Sequence, residues 1–317
     1  YSSAASDVYK RQAEDNRPRA AVTGMFDGVH RGHRFLLECL RTEAAQRGLR
    51  PAVFTFPSHP LQLIAPGSAP RLLSTPAEKL SLLAANGIAP ADILFLNFTP
   101  TLREATAARF MQLLRDIYNV RFILRGFNNR FGTERHLTPD DYRRIAAENG
   151  ITLVDATGLE EESDGRVISI SSSEIRNALA EGDVARAARL LGHPYTLTGT
   201  VVKGQQLGRR IGFPTANIRV PHPAKFIPAN GVYLATTSIC GEHHRVMLNI
   251  GTRPTVCTPG ASATIEAHIL DYEGDLYGTR LTLHFHRHLR PEQRFPSLDA
   301  LAARLDRDRD AARTLPL

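Results

Sequence analysis

The sequence predicts two folded units in tandem. The first is an α/β unit on a parallel sheet. The second is an antiparallel β unit, a barrel or a sandwich, closed by a C-terminal helix. Three observations carry this reading. Short apolar runs alternate with capped helical segments as far as Gly192. From Tyr195 the pattern changes to β-branched runs of period two separated by Gly and Pro turns. The 317 residues, 42% hydrophobic and 22% charged, suffice for two cores of ordinary size.

Ala20–Gly24 reads as the first strand, followed by a helix from about Arg31 to Arg47 that Gly48 stops. Ala52–Phe56 is the second strand. Thr75-Pro76-Ala77-Glu78 forms a capping box with proline at the first helical position, and Gly87 ends that helix. Ile93–Asn97, a helix from about Arg103 to Tyr118, and the strand Arg121–Leu124 come next. Thr138-Pro139-Asp140-Asp141 opens another helix, Gly150 closes it, and Ile151–Asp155 is the fifth strand. Strands spaced by helices make βαβ units, whose ligands sit beyond the carboxyl ends of the strands. Ser171 caps a helix running to Gly182, and Asp183 caps another that stops at Gly192 before Pro194. The later strands are Tyr195–Val202, Gly231–Ile239, Val246–Ile250, Thr264–Leu270 and Arg280–Phe285, and Arg294–Arg313 is the final helix. The boundary is placed near Gly192, giving domains 13–191 and 192–317. Residues 1–12 do not lead naturally into the first strand and are expected to be a non-native leader.

The formal net charge of +7 comes from arginine, since Lys10, Lys79, Lys203 and Lys225 are the only lysines. Such a balance favours anionic ligands. Without a basic tail or a run of five like charges, the expectation is nucleotides, with no nucleic-acid partner. No run of about 18 apolar residues is present, so no membrane partner is expected. Cys39, Cys240 and Cys257 form no CxxC pair, which argues against a zinc site or disulfide framework and fits a cytoplasmic location.

Two stretches carry chemistry. Gly24-Met25-Phe26-Asp27-Gly28-Val29-His30-Arg31-Gly32-His33 follows the first strand and opens the first helix. Its glycines permit close backbone approach, the helix start suits phosphate, and two histidines can donate to phosphoryl oxygens. In the second half, Lys203, Gly204, Gly208 and Arg209 make a glycine-punctuated basic loop that runs into Pro214-Thr215-Ala216-Asn217. Glycines and cations suit a triphosphate. The Thr215 hydroxyl and Asn217 amide oxygen are hard ligands suited to Mg²⁺. His284, His286 and His288 alternate on one strand, which points them to one face. Their spacing of nearly 7 Å along a strand favours an exposed barrel face over a metal site.

The first stretch resembles the nucleotidyltransferase superfamily, with its Rossmann-like parallel sheet, and in detail bacterial FAD synthetases. That resemblance implies that His30 and His33 hold ATP phosphates while FMN attacks the α-phosphorus and pyrophosphate leaves, with Gly24, Phe26, Asp27 and Gly28 at the nucleotide. Ile170-Ser171-Ser172-Ser173-Glu174-Ile175-Arg176 resembles the family's second phosphate cradle, which gives Ser171, Ser172, Ser173 and Arg176 roles on ATP. Gly126-Phe127-Asn128-Asn129-Arg130-Phe131-Gly132 resembles its flavin-side loop. Asn128 matches there, and Asn129 stands where an aromatic or His is usual. Thr55-Phe56-Pro57-Ser58-His59-Pro60 resembles a second flavin-bordering loop, with Phe56 at the flavin and His59 there or in a surface turn.

The second half, from Gly199 to Asn217, is similar to the riboflavin kinase family, a β-barrel. Asn249–Thr255, Glu266–Gly278, Leu289-Arg290-Pro291-Glu292 and Phe295 match in order. This similarity implies that Glu266 is the general base on the ribityl 5′-hydroxyl, that Lys203, Gly204, Gly208 and Arg209 bind ATP, that Thr215 and Asn217 bind Mg²⁺, and that Arg290 and Phe295 bind the flavin. Together the two resemblances imply riboflavin and ATP going to FMN, FMN and a second ATP going to FAD, and apoflavoproteins as possible clients. A monofunctional kinase with a decayed first site, and a flavin-binding regulator, are the two rival readings. The regulator has no need of Glu266.

Overall fold

The computed structural model describes residues 17–126, 129–158, 160–163, 166–204, 212–253 and 262–317. The expected leader, Asn128, Gly208 and Arg209 lie outside the described residues. The chain divides into two compact units, Tyr1–Ile170 and Ser171–Leu317, and each is taken by itself.

In the first unit, β1 (Arg19–Thr23), β2 (Arg50–Thr55), β3 (Ile93–Phe95), β4 (Val120–Arg125) and β5 (Thr152–Asp155) form a parallel sheet in the order β3-β2-β1-β4-β5. Helices α1 (Arg31–Gln46), α2 (Pro76–Ala85), α3 (Ala107–Tyr118) and α4 (Pro139–Glu148) connect the strands. Strand alternation sorts the buried side chains into two cores. Ala21, Phe54 and Ile123 pack with Phe110, Met111, Leu114 and Tyr142 on one side. Ala20, Val22, Val53 and Phe122 pack with Leu37, Leu40 and Leu83 on the other. Arg19 and Asp92, both 2% exposed, form an ion pair with Arg50 at the start of β1 and β2. The opposite, carboxyl ends of the strands are left to the loops.

Local capping explains where elements depart from the sequence expectation. Helix α3 begins at Ala107 rather than Arg103 because the Thr106 hydroxyl accepts from the Arg109 N–H at 3.1 Å. A hairpin of β6 (Glu160–Ser163) and β7 (Arg166–Ser169) was not expected.

The second unit starts with α5 (Ser172–Ala180) and α6 (Val184–Leu191). A closed antiparallel barrel follows, of β8 (Tyr195–Val202), β9 (Ala216–Arg219), β10 (Gly231–Ile239), β11 (Glu242–Arg253), β12 (Ser262–Ile269) and β13 (Arg280–Arg290). Its order is β10-β11-β12-β9-β8-β13. Helix α7 (Leu298–Thr314) starts later than expected, because Ser297 accepts from the Ala300 N–H at 3.1 Å after Pro296. It packs on β11, and the Arg245 guanidinium donates to the Ala312 and Leu315 carbonyls at 2.9 and 2.7 Å. Strand β13 shifts register twice against β10, so the three histidines do not form a simple row. His284 lies 3.4 Å from the Thr196 hydroxyl, His286 lies 2.9 Å from that of Thr236, and His288 faces the Tyr233 ring.

The break expected at Gly192 follows the change of periodicity. The compact units part earlier, after Ile170, because α6 packs on β8 and β13 and buries Val184, Ala187, Leu190 and Leu191. The Ala229 N–H also donates to the Leu179 carbonyl near the end of α5. A fragment of residues 171–317 is therefore expected to melt cooperatively on its own. A fragment starting at Leu191 exposes the barrel surface under α6 and loses roughly 1.5–3 kcal/mol for each large apolar side chain removed. Thermal melting of the two fragments checks this; equal midpoints would show that α5 and α6 are dispensable for the barrel.

Candidate active sites

In the first unit the chain leaves β1 through a strained turn. Phe26, Gly28 and Val29 all have positive φ, at 47°, 77° and 42°. Glycine takes such values freely, whereas for Phe26 and the β-branched Val29 the strain is on the order of 1–3 kcal/mol each. Burial of Phe26 and Val29 holds the turn in place. So does Asp27, whose carboxylate accepts from the Leu73 and Ser74 N–H groups at 3.1 and 3.0 Å, while the Gly28 N–H donates to the Ser74 hydroxyl at 2.9 Å.

The turn delivers His30 to the N-cap of α1. Its Nδ1 accepts from the His33 N–H at 3.3 Å, which leaves Nε2 to carry the proton in the neutral ring. The two imidazoles stack with centroids 3.6 Å apart, and Phe26 lies 4.9 Å from the His33 ring. Desolvation first, then His30 and then the Lys79 charge, hold His33 well below the usual histidine pKa. His33 is thus a neutral donor at physiological pH, and its Nδ1 is buried without a partner among the described residues. A Cβ at Gly32 would come within 3.3 Å of the His30 ring, so the bare backbone there gives the stack its room.

Two cavities open at the ends of these strands. One, of about 290 Å³, is lined by Gly24, Phe26, His30, Gly32, His33 and Ile170 among others. The other, of about 250 Å³, is lined by Phe56, Phe98, Phe110 and Phe131 with Arg103 and Arg130. Thr23, Gly24 and Asn129 belong to both linings. Asn129 donates its amide protons to the Thr23 carbonyl and, at 2.8 Å, to the Thr23 hydroxyl. That gives a physical role to the residue that departs from the family pattern: it stitches the loop after β4 to the end of β1. Asp27 and Gly28 line neither cavity and act from behind as the clasp of the turn. His59 accepts from the Leu61 N–H at 3.2 Å in the turn that precedes a short helical segment.

In the second unit, β12 sends successive side chains to opposite sides of the barrel wall. Glu266 and His268 line a cavity of about 420 Å³ that also takes in Thr215, Asn249, Arg290, Phe295 and one face of α7. Ala267 and Ile269 line a cavity of about 460 Å³ on the other side, with Thr215, Ala216, Tyr272 and Tyr277. Thr215 lies on both. Strand pairing sets Glu266 between Asn217 on β9 and Asn249 on β11. A Cβ at Gly204 would come within 2.0 Å of the Asn217 amide nitrogen, so Gly204 packs directly on that side chain. His268 lies 2.8 Å from the Pro214 carbonyl and fixes the approach to Thr215.

Arg290 is 8% exposed and pairs with the buried Asp308 at 2.8 Å, with Arg304 on the other carboxylate oxygen. Phe295 lies under the Arg290 guanidinium, 5.6 Å from ring centroid to Cζ. Lys203 stands 5.9 Å from the Tyr277 ring centroid, at the edge of the second cavity. Ser171 caps α5 and accepts from the Glu174 N–H at 3.3 Å, with Ser172 and Ser173 in the first turn and Arg176 next on the helix. Sequence reasoning did not single out Asn249, His268, Phe98, Arg103 or Arg130. The Glu-x-His alternation was the available signal for His268, since residues two apart share a face.

A parallel sheet with a phosphate-suited turn, and a closed barrel with a carboxylate on its wall between two cavities, define a two-site transferase of nucleotide chemistry. The family models agree. Residues 12–173 match FAD synthetase and 191–315 match riboflavin kinase. The bifunctional riboflavin kinase/FMN adenylyltransferase of Pseudomonas fluorescens is 38% identical over 95% of this chain and 94% of its own. That of Escherichia coli K12 is 40% identical over 92% and 90%. A crystal structure from Streptococcus pneumoniae, under the name macrolide-efflux protein, has a TM-score of 0.84 at 29% identity over 94% and 95% of the two chains. The chain belongs to the bifunctional riboflavin kinase/FMN adenylyltransferase family.

Asp27→Ala removes the carboxylate that accepts from the Leu73 and Ser74 amides in a buried setting. It is expected to destabilise the first unit by about 1–3 kcal/mol. Denaturant titration followed by a probe in that unit measures it, and an unchanged midpoint would remove the clasp role.

Proposed function

We propose that this chain phosphorylates riboflavin with ATP to give FMN and ADP, and adenylylates FMN with a second ATP to give FAD and pyrophosphate. The observation that carries this is that each unit holds a pair of cavities meeting at motif residues: Thr23, Gly24 and Asn129 in one, Thr215 in the other. Two reactants need adjoining chambers and a shared seam. A single-ligand regulator needs neither. We assign adenylyl transfer to residues 13–191 and phosphoryl transfer to 192–317, in a cytoplasmic enzyme that acts on small molecules rather than on nucleic acid or membrane and supplies apoflavoproteins.

At the first site His30 and the neutral His33 donate to ATP phosphate oxygens, with Gly24 and Phe26 lining the nucleotide chamber. The family resemblance adds Ser171, Ser172, Ser173 and Arg176 to the ATP contacts. The four phenylalanines with Arg103 and Arg130 suit a flat aromatic ring carrying a phosphate. The FMN phosphate attacks the α-phosphorus and pyrophosphate leaves. Positioning and electrostatics suffice, and no residue is covalently modified.

At the second site Glu266 takes the proton of the ribityl 5′-hydroxyl as that oxygen attacks the γ-phosphorus and ADP leaves. The flavin chamber is the one under α7, with Phe295 and the Arg290–Asp308 pair. The nucleotide chamber is the one beside Tyr272 and Tyr277, near Lys203 and Gly204. The Thr215 hydroxyl and Asn217 amide make no side-chain hydrogen bond within the described residues. As hard oxygen donors they fit Mg²⁺, which would counter the phosphate charge there.

Two sets of variants test the assignment in one assay that separates flavins by chromatography. His33→Ala and Arg176→Ala should each abolish FAD formation and leave FMN formation nearly intact; equal loss of both activities in folded protein would sink the two-site reading. Glu266→Gln should lower kinase turnover about 10²-fold or more, with little change in substrate affinity and none in FAD formation from supplied FMN. A raised riboflavin KM with unchanged kcat would instead make Glu266 a binding residue.

A further inference from the structure

Lys79 is 1% exposed, and no step above uses it. It lies in the first turn of α2, where the helix macrodipole disfavours a cation. A buried ammonium at that place is doubly unfavourable, and a Met or Leu would fill the volume without either penalty. What it touches is informative. Its Nζ donates to the Phe56 carbonyl at 2.8 Å and lies 3.4 Å from the Thr55 hydroxyl, which in turn donates to the Met25 carbonyl at 3.0 Å. Met25 lines the nucleotide chamber and Phe56 the aromatic chamber. One side chain therefore ties the two walls together from beneath.

We propose that Lys79 is a buried positioning cation of the first site: its ammonium clamps the ends of β1 and β2 and places positive charge behind His33, so that FAD formation requires Lys79 protonated whereas FMN formation does not. This rests on the assignment of adenylyl transfer to the first unit. The charged and titratable groups around Lys79 are Asp27 in the β1 turn, His33 on α1, and Glu78 beside it on α2. Asp27 and Glu78 accept from backbone amides, whose protons do not titrate. His33 is already neutral.

Burial, partly offset by the Asp27 charge, brings the Lys79 pKa down to about 8. The sign for stability is opposite to that for activity. The unfolded chain keeps the lysine proton up to about 10.4, so stability rises as pH climbs from about 8 toward that value. A loss of FAD formation over that range is then not unfolding of this unit. The substrate phosphates lose their last proton near 6 and do not account for it either.

The test is the pH profile, from 6.5 to 9.5, of kcat/KM for FAD formation from FMN and ATP, beside that of riboflavin phosphorylation by the same full-length chain. The expected result is a descending limb for FAD formation with a midpoint near 8 and none there for the kinase. Lys79→Met should lower FAD formation at pH 7 on the order of 10-fold or more, abolish the limb and spare the kinase. Lys79→Arg, charged throughout, should keep more activity than Met and show no limb. A wild-type profile flat to pH 9.5, or the same limb in Lys79→Met, overturns the proposal. The wild-type profile decides even where a variant does not fold. Absence of FAD at pH 7 in the wild type would be a different failure, that of the assignment itself.

Discussion

Everything at the second site follows from the two-residue repeat of one strand. Because side chains on β12 alternate between the faces of the wall, Glu266 and His268 belong to one chamber and Ala267 and Ile269 to its neighbour. A carboxylate on the partition thus lines one of the two chambers. Neighbouring strands complete the arrangement by register, bringing Asn217 and Asn249 to either side of Glu266. A slip of one residue in β12 would exchange Glu266 for Ala267 and erase the site while leaving the barrel closed.

The first site solves a similar problem with a turn. Parallel strands end together, and the chain must swing from β1 into α1 while presenting two imidazoles. The left-handed residues Phe26, Gly28 and Val29 make that swing, and Asp27, anchored on Leu73 and Ser74, keeps it from relaxing. Strain, clasp and buried lysine form one assembly behind the chamber. The groups that line the chamber, His30 and His33, are held by groups that do not.

Much of this was legible in the sequence. Capping boxes at Thr75 and Thr138 gave the helix starts, because a cap is a local hydrogen bond between near neighbours. The period-two runs gave most barrel strands. What escaped depended on distant partners. Strand β9 is only Ala216–Arg219 and pairs with β8 and β12, so it looked like the tail of a loop. Helices α5 and α6 read as the end of the first unit because their pattern is helical, and the packing of α6 on β8 and β13 is a long-range contact that such a pattern does not contain. Of the residues the motifs singled out, His30, His33, Glu266 and Thr215 line cavities. Asp27 carries a charge suited to ligand chemistry and spends it on backbone amides instead.

The barrel is a closed ring of strands. Every strand has a hydrogen-bonded partner on each side, so the wall cannot part without breaking a ladder. The chambers on its two faces therefore meet where their linings coincide, at Thr215. One side chain borders both spaces, so a bulkier residue at that position would narrow the two together.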